Sequence, residues 1–137
     1  MAENTFHVEV ITPEKVLISD EVNSVEVPGA HGEFQILTGH TPFLTSLKIG
    51  LLTVTKGVEK ILISISGGYC EVMPEKTTIL AHTAETAKQI DKARAEAARK
   101  RAQSRIDNAE KDSSIDIDRA QLALLRAINR IKTKNMK

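Results

Sequence analysis

The 137-residue chain has one cysteine, no tryptophan, one tyrosine and three phenylalanines. A lone Cys70 has no internal disulfide partner, so packing alone must hold the fold, as suits a reducing compartment. No apolar run approaches the ~18 residues that span a bilayer. The start, MAENTFHVEV, lacks a basic segment followed by an apolar one, so a soluble, unexported chain is expected. Catalytic signatures are missing too: there is no GxxxxGK[ST] phosphate loop, HExxH zinc pair, CxxC or GxSxG elbow. His7, His31, His40 and His82 are scattered without metal-ligand spacing, so neither a metal nor a catalytic residue is predicted.

What is present is unevenly distributed. Net charge is +1, yet residues 1–83 carry five Lys/Arg against ten Asp/Glu, and residues 84–137 carry fourteen against eight. The front half reads as short strands: FHVEVI, KVLI, SVEV, GEFQIL, FLTSLKI, LLTVT, KILISIS, YCEVM and TTILAH. Val8 and Val10 against Glu9 show the period of two that half-buries a strand. TKGVEK and SGGY supply glycine for hairpin turns, and Pro28, Pro42 and Pro74 fall at strand ends. Many short strands at this spacing predict an antiparallel β-sandwich or flattened barrel over residues 1–84.

From Ala84 onward Ala, Arg, Lys, Glu and Gln replace the β-branched residues, which predicts helix. KDSSIDID at 111–118 interrupts it. Ser113 or Ser114 would cap a second helix, with Asp116 and Asp118 at its positive end. The expectation is a two-helix antiparallel hairpin in residues 85–137, with helices over about 86–109 and 115–133, so the class is α+β. Ala95, Ala98, Ala102, Ile106 and Ala109 on the first helix, and Ala120, Leu124, Ala127, Ile128 and Ile131 on the second, form the facing stripes. Alanine removes little area from water, so such a hairpin would hold weakly and could open.

QIDKARAEAARKRAQSR, residues 89–105, holds four arginines and two lysines. Arg94 and Arg101 share a face of the first helix, and Arg126 and Arg130 share one on the second. If the hairpin folds back near residues 111–112, the four guanidinium groups converge within about two turns and call for a polyphosphate. The other arrangement points them outward to Glu96, Asp107 or water; spacing alone does not choose.

The order of features is more specific than any single motif. A β-domain with GEFQILTGHTPFLTSLKIG and SISGGYCEV, followed by two helices, closely resembles the epsilon subunit of bacterial F-type ATP synthases over essentially the whole chain. Around residues 32–42 that family carries GE.GILPGH.P, from which Gln35 and Thr38 depart. Its ATP-binding, bacillus-like members carry I(L)DxxRA; this chain has IDKARA at 90–95, in the family's position, and a second match, IDIDRA, at 115–120. The resemblance implies an ATP site in which Arg94, Arg101, Arg126 and Arg130 hold the phosphates while Glu85, Ile90, Asp91 and Ala95 surround adenine and sugar. ATP would be a regulatory ligand; whether Mg²⁺ accompanies it is left open.

The resemblance further implies a noncatalytic central-stalk subunit, peripheral on the cytoplasmic face of the cell membrane. Its β-domain would bind the gamma subunit and the rotor ring of c subunits, coupling rotation to synthesis. Its hairpin would lie folded with ATP, or open toward the alpha and beta catalytic subunits and restrain hydrolysis. The competing class is a free-standing nucleic-acid-binding module with a basic helical tail. Eight acids among the tail's fourteen bases, and no aromatic residue there for stacking, weigh against it. An ATP-hydrolysing enzyme fails for lack of a phosphate loop.

Overall fold

Alternating valines and isoleucines set the architecture. In the computed structural model, which describes residues 4–136, eight strands precede two helices. The strands are β1 (Phe6–Ile11), β2 (Val16–Val22), β3 (Ser24–Gly29), β4 (Gly32–Leu37), β5 (Phe43–Lys56), β6 (Glu59–Val72), β7 (Lys76–Ala81) and β8 (Ala84–Thr86). The chain divides into two units, Met1–Thr86 and Ala87–Lys137. Residues 1–3 and 137, at the ends of the two expected domains, lie outside the described residues.

The sheet runs in the order β2-β1-β7-β6-β5-β3-β4, with β8 added beside β6. It is a folded sheet with open ends at β2 and β4, so the sandwich is correct and a closed barrel is not. All pairings are antiparallel except β1 with β7, which is parallel, from His7 opposite Lys76 to Ile11 opposite Leu80. The long strands β5 and β6 carry both layers: the first part of β6 pairs with β8 and its last part with β7. At the far side Asn23 N–H donates to Thr55 O, Gly57 N–H to Asn23 Oδ1, and Lys56 Nζ to Asp20 Oδ2, which returns the β2 end to β5.

The inward residues of this sheet make one core, including Val8, Val10, Val25, Val54, Ile63, Ile65 and Ile79. Each fully buried aliphatic side chain contributes about 1.5–3 kcal/mol relative to exposure. Cys70 lies in this core at 0% exposure, as a small apolar residue would, and burial pushes its thiol up to about 12.

Several boundaries differ from the sequence expectation. FLTSLKI and LLTVT are one strand through Gly50, and KILISIS and YCEVM are one strand through Gly67 and Gly68. SGGY is therefore not a hairpin turn. Gly68 has φ +144° inside β6, where an added Cβ would run into the backbone carbonyl of Leu80 on the neighbouring strand. The glycine serves close strand approach, a use that a residue-type reading takes for a turn. TKGVEK does turn the chain, with Gly57 at φ +62°. The sheet also continues past the expected change at residue 84, because β8 pairs Glu85 with Ser64 and Thr86 with Ile63.

In the second unit, α1 covers Lys92–Asn108 and α2 covers Ile117–Asn135. Both start later than expected because aspartates, Asp91 and Asp116, are the caps. The expected serine cap is corrected accordingly: Ser114 N–H and Oγ both go to Asp112 Oδ1, at 3.0 and 2.6 Å, and shape the connecting turn. These two bonds hold the Asp112 carboxyl below the usual range. Asp118 does fall in the first turn of α2. Lys134 Nζ donates to Ala87 O at 3.0 Å, tying the end of α2 to the residues before α1, so the helices run antiparallel. Ala95 and Ala102 of α1, and Ala120, Ala127 and Thr133 of α2, are buried. Ile128, expected in the seam, is 44% exposed. Thr133, polar and overlooked, is buried because its hydroxyl donates to Asn129 O at 2.7 Å.

Candidate functional site in the helical hairpin

The hairpin places its arginines by simple rotation. Arg94 precedes Ala95, Arg101 precedes Ala102 and Arg126 precedes Ala127, so each stands one residue before a buried seam alanine. One residue is about 100° around a helix. Because the helices run in opposite directions, the same backward step takes both toward the same flank of the pair. Arg130, three residues beyond Ala127, comes round to that flank about 60° from the seam. It is accordingly half-buried, with its Nε out of water.

Arg94, Arg101 and Arg126 are exposed, and among the described residues their side chains form no ion pair. Glu96 pairs with Arg99 at 3.1 Å, and Asp107 accepts from Gln103 at 2.9 Å. The two acids that offered an outward arrangement are thus engaged elsewhere. Arg99, three residues before Ala102, rotates to the opposite flank. Arg119 precedes Ala120 and belongs to the arginine flank; sequence reading did not single it out, although the Arg-Ala step repeated every seven residues on each helix was the signal.

The residues expected beside adenine and sugar have distinct local roles. Asp91 caps α1, its Oδ1 accepting the Arg94 N–H at 3.1 Å. Ile90 and Ala95 are buried. Glu85 is half-buried in β8 of the first unit, opposite Ser64. The seven residues from Ile90 to Arg130 therefore belong to one unit, and Glu85 to the other.

Two arrangements in the β-unit bear on other chemistry. His7 Nδ1 lies 2.9 Å from Glu21 Oε2 and its Nε2 lies 3.1 Å from Ser19 Oγ. Ser19 also faces Glu9, which Lys76 pairs at 3.0 Å, holding the Glu9 carboxyl below its usual range. These contacts link side chains across the paired strands β1 and β2. A groove of ≈ 450 Å³ near the β3–β4 turn is lined by His31, Glu33, Phe34, His40 and Phe43 among others. Among the described residues no group of three His, Cys, Asp or Glu could hold a metal. Beside it, Gln35 sits regularly in β4 opposite Glu26, and Thr38 is in the turn closed by His40 N–H donating to Leu37 O. Among the described residues no helix is long and apolar enough to cross a membrane.

Residues 5–87 match the family model of the ATP synthase delta/epsilon chain beta-sandwich domain, and residues 88–135 that of its long alpha-helix domain. The ATP synthase epsilon chain of Desulforamulus reducens is 47% identical over 128 residues, covering 93% of this chain and 96% of that one. That of Bacillus cytotoxicus is 42% identical over 133 residues, covering 97% and 98%. A chain of the Euglena gracilis mitochondrial ATP synthase has the same fold, with a TM-score of 0.79 at 20% identity, covering 91% of this chain and 78% of that one. With both structural units matched and such identity across nearly its full length, this chain belongs to the ATP synthase delta/epsilon chain family.

Proposed function

We propose that the chain is a noncatalytic epsilon-type subunit of the proton-translocating ATP synthase central stalk, whose hairpin binds ATP when folded and restrains ATP hydrolysis when open. The observation that carries the ATP part is the single flank holding Arg94, Arg101, Arg126 and Arg130, with three of them exposed. Like charges brought together on one side favour an anion, and guanidinium forks suit phosphate oxygens. Ile90 and Ala95, at the start of α1, would complete the adenine and sugar side. Mg²⁺ is left open.

The regulatory part follows from the weak seam. Four of the five buried hairpin side chains in the two helices are alanines, so little apolar area opposes opening. A ligand that bridges both helices binds only the folded form and adds RT ln(1 + [ATP]/Kd) to its stability. At low ATP the helices would separate and reach alpha and beta subunits. The sandwich would hold gamma and the ring of c subunits on the cytoplasmic side of the membrane as a peripheral element.

Titration calorimetry of the chain with ATP tests the site. Arg94→Ala and Arg126→Ala should each weaken binding roughly tenfold to a hundredfold, since a hydrogen bond to a charged group contributes about 1.5–3 kcal/mol. Arg99→Ala, on the other flank, should change it little. Equal loss from all three would mean diffuse attraction in place of a built site.

A further inference from the structure

The IDxxRA pattern occurs twice, and both copies fold into the same device. Asp91 and Asp116 are N-caps with φ/ψ of −87°/106° and −83°/103°. Oδ1 of each accepts the N–H of the arginine three residues on, Arg94 or Arg119, at 3.1 Å in both. The backbone oxygen of each accepts the N–H of the following alanine, Ala95 or Ala120, at 3.0 Å in both. The preceding isoleucines, buried Ile90 and half-buried Ile115, and the buried alanines hold the positions that form a hydrophobic staple around a cap. Every fixed letter of the pattern thus has a role in starting a helix, and the second copy has all of these bonds although the resemblance gives it no nucleotide.

The cap at the first copy matters because Arg94 is the residue it fixes. The arginine lies in the first turn, where helices fray, and the Asp91 bond is made to its own backbone N–H. An anionic carboxylate one turn from a polyphosphate adds repulsion, so its charge is no asset to that ligand. Resting on the ATP reading above, we propose that Asp91 is a positioning residue, which caps α1 and holds Arg94 on the arginine flank, and is not a direct ligand of adenine or sugar.

Asparagine and serine cap as well as aspartate, and alanine does not. ATP titration of Asp91→Asn and Asp91→Ser should therefore leave affinity within about threefold of wild type. Asp91→Ala should lose roughly threefold to thirtyfold, the span of a lost cap. Asp116→Ala removes an equal cap from α2, whose site arginines Arg126 and Arg130 lie two turns or more away, and should lose less than Asp91→Ala. Loss in Asn and Ser as large as in Ala would overturn the proposal in favour of a carboxylate contact; equal loss from Asp91→Ala and Asp116→Ala would overturn it in favour of general destabilisation. Hydrogen exchange at the Arg94 amide separates this inference from the ATP reading. If wild type takes up no ATP, that reading fails, while Arg94 protection kept in Asn and Ser but lost in Ala still supports the cap, and equal protection in all four chains overturns it.

Discussion

Gly68 and Cys70 lie two residues apart in β6, and each is held to its identity by a different force. At Gly68 the backbone is in a region that L side chains rarely adopt, and a Cβ would meet the Leu80 carbonyl. Gly68→Ala should cost about 3 kcal/mol or more from strain and overlap together. Gly39 also has positive φ, at +80°, but open space around it, so Gly39→Ala should cost only about 1–2 kcal/mol. Urea unfolding of the two variants checks the difference; equal losses would mean that the neighbouring strand yields. At Cys70 the raised thiol value makes a pH prediction. Above pH 9 the unfolded thiol ionises while the folded one keeps its proton until about 12, so the folded state binds more protons. Its contribution is present below pH 9 and falls by about 1.4 kcal/mol per pH unit above it. Cys70→Ala should flatten the decline of stability between pH 9 and 11, and an unchanged slope would place its cause elsewhere.

At the scale of elements, patterns of period two and the switch in composition at residue 84 were enough to read strands followed by helices. GEFQIL coincides with β4, which starts at Gly32 and ends at Leu37, where the turn at Thr38 and Gly39 begins. The interrupted strands were not legible, because Gly50, Gly67 and Gly68 look like turn residues until the partner strand that approaches them is known. Helix starts were misread for a related reason: serine and aspartate are equivalent as cap types, and the choice fell to Asp116 once Ser114 was taken up by Asp112. The arginine flank was partly legible from spacing. Its fifth member, Arg119, had a signal in the repeated Arg-Ala step, whereas the buried Thr133 required the seam to be located first. The parallel β1–β7 pairing has no local signature, since it joins segments more than sixty residues apart. The cap itself is testable as an element: Asp116→Ala should lower hairpin stability by about 1 kcal/mol, read as loss of helical signal on mild heating.

At the scale of the whole molecule, the β-unit has a complete core of its own and the helical unit has an alanine seam, so their stabilities should separate. A chain ending at Thr86 keeps β8 paired with β6 and should unfold cooperatively by itself. The absence of a single transition would mean that the sheet needs the helices. That independence is what the proposed switch requires, in which ATP would select the folded form of the helices while the β-unit stays unchanged. The most direct test is ATP hydrolysis by the assembled ATP synthase carrying either the full chain or the chain ended at Thr86. The account predicts faster hydrolysis from the truncated complex at low ATP and convergence of the two at high ATP, where the full hairpin is folded. Equal hydrolysis at low ATP, in a complex shown to contain the truncated chain, would contradict it.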